Sequence, residues 1–505
     1  MQTTTLTATL PPSPPPSRRS PAVGWILLAP AAVLLVVCYV WPTVRLLTES
    51  VSGKGGWGYV FSGPGGRALG DQLLYALVPL GIVALVAPPL AWAASRAGRL
   101  PRRAVRVAFA LPLAAVAPTA LALVWVDGHG PASPDPGNPT HWHGWLVLPA
   151  TMGVLVLAVA VTCYLAALRG PRPRAAMWAV GLVLAMVTVG LALQQFTFGH
   201  IVDGATGNAT RHGLLGDAIS DRGGLNPVTA ALGLTVAVLL AVLGLAVAAV
   251  VRGADLRVDV SQEPADLSRP PRRRGLALAG AALLFAGTVV LIVLQLGPWL
   301  AAMFGKQVPV PPRFSTFSVF FNTWGLTLLT ALIEVGVALI AAVGIVVFRP
   351  IGPRSEALLF AFAPWLLFGN WLIELTRVSG KTLGVSQFLA PTWLSIPALF
   401  LFVVLLRGQL GRGRAIAATA PMFVLAVGVV WLVQAQDLFT ATLADHSTGA
   451  LGNGPLLADQ TGRLMYALHA NVSVAYPFFM LVLFTLGALV LQLAYLDRVA
   501  VRAGR

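Results

Sequence analysis

Glu334 is the only acidic residue that falls deep inside an apolar stretch of this chain. An ionisable group at bilayer depth is costly, so it either lines a solute or proton path or sits as a neutral group hydrogen-bonded between helices. No basic residue shares its stretch, and both readings stay open. Gln194 and Gln195 stand near the end of a second apolar stretch, Gln434 and Gln436 near the end of a third, and Asn322 and Asn370 near two further ends. Such amides can bind the hydroxyls of a polar solute, or they can join one helix to another. His141-Trp142-His143 follows Asp127, His129 and Asp135 in a segment rich in Pro and Gly. Alternating imidazoles can hold a metal, but no further fixed spacing accompanies them, so a solvated external loop is expected and no metal. Asp203, His212, Asp217 and Asp221 form a second polar loop of the same kind.

Other chemistries lack their parts. There is no Gly-Lys-Ser/Thr phosphate loop, so the chain is not expected to hydrolyse ATP itself. Neither a nucleophile elbow nor a His-Glu-x-x-His pattern occurs, and no enzymatic activity or cofactor is expected. Cys38 and Cys163 lie within apolar stretches and read as small packing residues.

The elements that must position these residues are membrane spans. Of 505 residues, 57% are hydrophobic and 10% charged, where a soluble domain carries about a quarter charged. Twelve apolar segments fall near 24–46, 72–96, 104–126, 144–168, 175–198, 227–251, 275–303, 318–348, 355–376, 390–406, 415–436 and 470–496. Each is long enough to cross a bilayer as a helix. Twenty-four of the 34 Lys and Arg residues lie on one side of this ladder. Basic loops stay in the cytoplasm, so the expectation is an all-α polytopic protein of the cell membrane with both termini cytoplasmic. The net charge of +16 then reports topology and not nucleic-acid binding. Trp41, Trp57, Trp125, Trp142, Trp145, Trp324, Trp371 and Trp393 cluster toward the other ends of the spans, as an interfacial aromatic belt would.

Residues 1–23 read as a disordered tail, 24–251 and 275–505 as two six-helix halves, and 252–274 as the polar linker between them. The halves look like repeats. Gln194-Gln195-Phe196-Thr197 is followed by Asp203 and Leu214-Leu215-Gly216-Asp217; Gln436-Asp437-Leu438-Phe439-Thr440 is followed by Asp445 and Leu456-Leu457-Ala458-Asp459. Each set follows the fifth span of its half, and such duplication is a common plan for transporters.

Several segments resemble the membrane subunits of binding-protein-dependent ABC importers of the carbohydrate (maltose-type) family. They are Trp25–Pro30 with Tyr39–Arg45, Ala108–Pro118, Phe317-Ser318 with Asn322-Thr323-Trp324, and Leu339–Arg349. The resemblance implies two permeases fused in one chain and alternating access between the halves. It also implies two partners, a separate ATPase subunit, through which alone ATP would act, and an extracytoplasmic solute-binding protein. In that family an acidic coupling loop follows the fourth span. Here the turn carries Arg169, Arg172 and Arg174, and its counterpart carries Arg407, Arg412 and Arg414, with no acid in either. The rival expectations are a receptor or accessory protein that has lost ATPase coupling, a proton-coupled carrier using Glu334, and, last, a membrane enzyme.

Overall fold

A computed structural model describes residues 20–53, 55–62, 64–116, 139–195, 215, 225–260, 274–304, 317, 320–377, 392–409, 415–437 and 476–504. The described residues are helical nearly throughout, as runs of Leu, Ala and Val without polar interruption require where water cannot satisfy the backbone. The principal helices are α1 (Pro21–Ser52), α2 (Gly56–Ser62), α3 (Pro64–Ala97), α4 (Arg99–Ala108), α5 (Ala110–Ala114), α6 (Pro139–Ala167), α7 (Pro173–Leu193) and α8 (Pro227–Gly253). They continue with α9 (Arg274–Met303), α10 (Thr323–Phe348), α11 (Leu359–Phe362), α12 (Trp371–Arg377), α13 (Ile396–Gln409), α14 (Ala415–Ala435) and α15 (Phe478–Arg498). Among the described residues, eight helices are long and apolar enough to cross a membrane. Leu85, Leu283 and Phe61 are each about three-quarters exposed on outward faces, which suits contact with lipid and not with water. The protein is a multi-pass membrane protein.

The eight spans are counted over the described residues alone, and within those residues two of the twelve apolar segments are interrupted. The segments near 104–126 and 355–376 fall on interrupted helices. In the first, α4 gives way to α5 at Phe109. In the second, 3₁₀ turns at Gly352–Leu358 and Ala363–Trp365 flank the single turn α11, and the backbone leaves helical form before α12. Pro353 and Pro364 stand in those 3₁₀ turns, and each lacks the amide hydrogen a continuous helix needs. Helix α6 begins at Pro139, earlier than the expected residue 144, and takes the backbone of His141 and His143 into the helix. The segment 252–274 is also more structured than a linker, since it contains strand β1 (Arg257–Val260).

Helices of the two sequence halves pack across one another. The first span, α1, lies on α10, while α9 lies on α3. Helix α8 packs on the interrupted stretch 363–377, and α15 packs on α5. Small residues make these crossings close, as membrane helix packing demands. A Cβ on Gly344 would stand 2.8 Å from the carbonyl oxygen of Gly24. One on Gly244 would overlap the carbonyl of Ala363.

Strand β2 (Val499–Arg502) follows α15 and pairs antiparallel with β1, setting Val258 opposite Val501 and Asp259 opposite Ala500. Strand β1 packs on α13 and β2 on α6. The segment that leaves each half thus packs on the fourth helix of the other half.

Candidate functional site

Two polar loci stand out in an otherwise apolar interior. The first surrounds Glu334, whose side chain is buried in α10. Thr392 donates its hydroxyl to Glu334 Oε1 at 2.9 Å and lies 3.4 Å from Asn370 Oδ1. One hydroxyl carries one proton, so the shorter contact takes it. Gln434 of α14 stands within side-chain hydrogen-bonding reach of the same carboxyl. The backbone amide of Ser395 donates to the Glu334 carbonyl at 3.4 Å. Tyr39 of α1 donates to the carbonyl of Leu394 at 2.8 Å and so brings the first half into the cluster. Tyr39 lies in a π-helical turn, Val36–Val40, and two more such turns, Phe321–Gly325 and Gly344–Phe348, flank the helix of Glu334. Each turn holds one extra residue and re-aims the side chains after it. No cation faces Glu334 among these groups, and the irregular backbone at 366–370 and 392–395 carries Asn370, Thr392 and Ser395 into the cluster.

Gln194 lies at the end of α7 and is a fastener. Its Nε2 donates to the carbonyls of Gly190 (2.9 Å) and Leu367 (2.7 Å), while its Oε1 accepts from the Gly369 amide (2.8 Å) and Trp371 Nε1 (2.9 Å). Two donors and two lone pairs are the whole capacity of an amide, so nothing is left for a solute. Gln195 contributes its backbone carbonyl, which accepts from Gln72 at 3.4 Å. Gln436 is buried. The side chain of Asn322 lies outside the described residues. Trp324 and Trp371 depart from the expected belt: Trp324 is 1% exposed inside a cluster with Tyr476, Trp431 and Phe484, and Trp371 stacks on Phe368. Trp41, 66% exposed, fits the belt.

The second locus is the Arg-rich end. Asp497 is buried, accepts from Arg102 Nε at 3.0 Å, and forms an ion pair with Arg106, whose Nε stands 3.4 Å away. Arg106 also donates to Gln492 Oε1 at 2.7 Å, and Gln492 donates to Thr162 at 2.7 Å. On the other side Arg407 pairs with Asp255 and, at 3.2 Å, with Glu356, while Arg502 pairs with Asp259. The basic turns themselves are covered: Gly170 lies against the carbonyl of Val501, Gly408 against that of Val258, and Arg172 beside Gly504. Arg174 is exposed; Arg412 and Arg414 lie outside the described residues. Sequence reasoning missed Tyr39, Thr392 and Asp497. Asp497 carried a signal, since a lone acid directly after the last span faces a basic side that is short of acids.

Among the described residues no group of His, Cys, Asp or Glu could hold a metal. Comparisons with protein-family models, curated proteins and solved structures find no match.

Proposed function

We propose that the chain is the membrane-spanning permease component of an importer for a small polar solute, of the carbohydrate class. In this reading the two halves rock against each other and the Arg-rich end is cytoplasmic. The observation that carries it is the Glu334 cluster. It joins Tyr39 of one half to Glu334, Thr392 and Asn370 of the other, and broken backbone surrounds it. Non-helical backbone at membrane depth is tolerated only where protein buries it or a cavity is lined, and carriers place discontinuous helices where their halves meet.

A second reading rests on the basic turns. Gly170 and Gly408 are already covered by the chain's own strands, which favours an accessory protein on a permease scaffold, without ATPase coupling. Purification of the tagged chain from its native membrane distinguishes the two. Recovery of an ATPase subunit, with loss of solute uptake on deletion, is expected for the importer. Purification without an ATPase and with uptake intact would overturn it.

A further inference from the structure

Arg169 follows α6 and Arg407 lies in the last turn of α13, each in a Leu-Arg-Gly order, yet their surroundings differ. Arg407 is flanked by two carboxylates, Asp255 and Glu356. Arg169 has none of its own. Both of its terminal nitrogens are buried without a hydrogen-bond partner, as is Nε of Arg103 nearby in sequence to Arg102 and Arg106. The nearest acid, Asp497, is already bound by Arg102 and Arg106. Three guanidinium groups therefore share one carboxylate. Burial and the repulsion of Arg102 both push the Arg169 pKa down, opposed only by Asp497. Guanidinium nitrogens shut from water without a partner are unfavourable, so a missing anion is the economical account of the asymmetry.

We propose that the Arg169 turn, with Arg102 and Arg106 behind it, binds a phosphate-bearing anion at the Arg-rich end of the fold. A guanidinium matches two phosphate oxygens through parallel hydrogen bonds. The turn joins two apolar helices, α6 and α7, and basic pockets between spans take anionic lipids. Arg172, exposed beside Gly504, stands at the entrance. The same chemistry could be met by an anionic lipid headgroup or by free phosphate.

The full chain is reconstituted in nanodiscs of phosphatidylcholine alone, of phosphatidylcholine with phosphatidylglycerol, and of phosphatidylcholine with inorganic phosphate in the buffer. Melting is followed, and retained lipid is read by native mass spectrometry. The expected result is a higher melting temperature and a retained phosphatidylglycerol, with retention reduced about tenfold in R169Q. Stabilisation by inorganic phosphate without lipid retention would support the site and assign it to the free ion. R169E supplies a carboxylate beside Arg102, as Glu356 does beside Arg407, and is expected to fold and be indifferent to added anions. Equal melting of the wild-type chain in all three conditions, with no lipid retained, would overturn the proposal.

Discussion

Val258 and Val501 face each other across the two-stranded ribbon, and the carbonyl of each is covered by a glycine from the opposite half, Gly408 and Gly170 respectively. The turns that carry Arg169 and Arg407 thereby become the seats of a clasp between the halves.

The clasp is sensitive to a single methyl group. A Cβ at residue 170 or 408 would overlap a backbone oxygen, which cannot swing aside as a flexible side chain could. Gly170→Ala and Gly408→Ala are each expected to cost about 1–3 kcal/mol, read as a lower melting temperature in detergent. Gly253→Ala, where nothing lies within 4 Å, is the control and should melt like the wild type.

The register of the ribbon can be trapped covalently. Directly opposed residues of an antiparallel pair have Cα atoms about 4.5–5.5 Å apart, within the range of a disulfide. V258C/V501C, in a chain with a protease site placed in the segment 261–273, should migrate as one band after cleavage and as two once reduced. Two bands without reductant would show that the strands do not pair in this register.

Much of this architecture was legible in the sequence, and the reason is the bilayer. The apolar stretches near 227–251 and 275–303 reappear as α8 and α9 almost residue for residue, because backbone that meets lipid must satisfy its own hydrogen bonds. The interrupted helices were only partly legible: Pro364 and Gly369 stand within 355–376, but its length and apolar run match those of a continuous span. Its break is held by tertiary partners. Gln194 was singled out for its position, but only the fold shows that its amide is spent on Leu367, Gly369 and Trp371. Tyr39 and Leu394 meet although they are 355 residues apart, a contact that no local pattern announces.

Gln194 therefore predicts a stability effect. Gln194→Leu keeps the volume but abandons the carbonyl of Leu367 and the donors of Gly369 and Trp371 inside the protein. Unsatisfied buried groups cost about 1–3 kcal/mol each, discounted in membranes because the unfolded chain also finds partners. A net loss of about 2–3 kcal/mol is expected, visible as a lower melting temperature. Quenching of Trp371 fluorescence by acrylamide should rise; an unchanged quenching profile would mean that the break is held by other contacts.

Glu334 allows a sharper test, because Glu334→Gln keeps an oxygen to accept from Thr392 and leaves the shape of the cluster unchanged. The substitution is expected to change stability by less than about 1 kcal/mol. If Glu334 carries a proton with the solute, uptake into proteoliposomes should lose its dependence on an imposed pH gradient in E334Q. If the carboxyl only joins helices, the wild type and E334Q should transport alike at every pH.

Asp497 is the anchor of the Arg-rich end and gives the largest expected loss. Arg102 and Arg106 are both buried, and Asp497 is the one carboxylate paired with them among the described residues. Asp497→Asn would leave two guanidinium groups without a counter-charge, and removing one member of such a set costs about 3–5 kcal/mol. The triple change R102Q/R106Q/D497N removes the charges together and should recover part of that loss, because neutral amides can still hydrogen-bond across the same positions. Recovery is measured by melting and by protection of the C-terminal strand from carboxypeptidase. Failure of the triple variant to exceed D497N would show that the arginines serve this end of the fold through their length and packing, and not through charge.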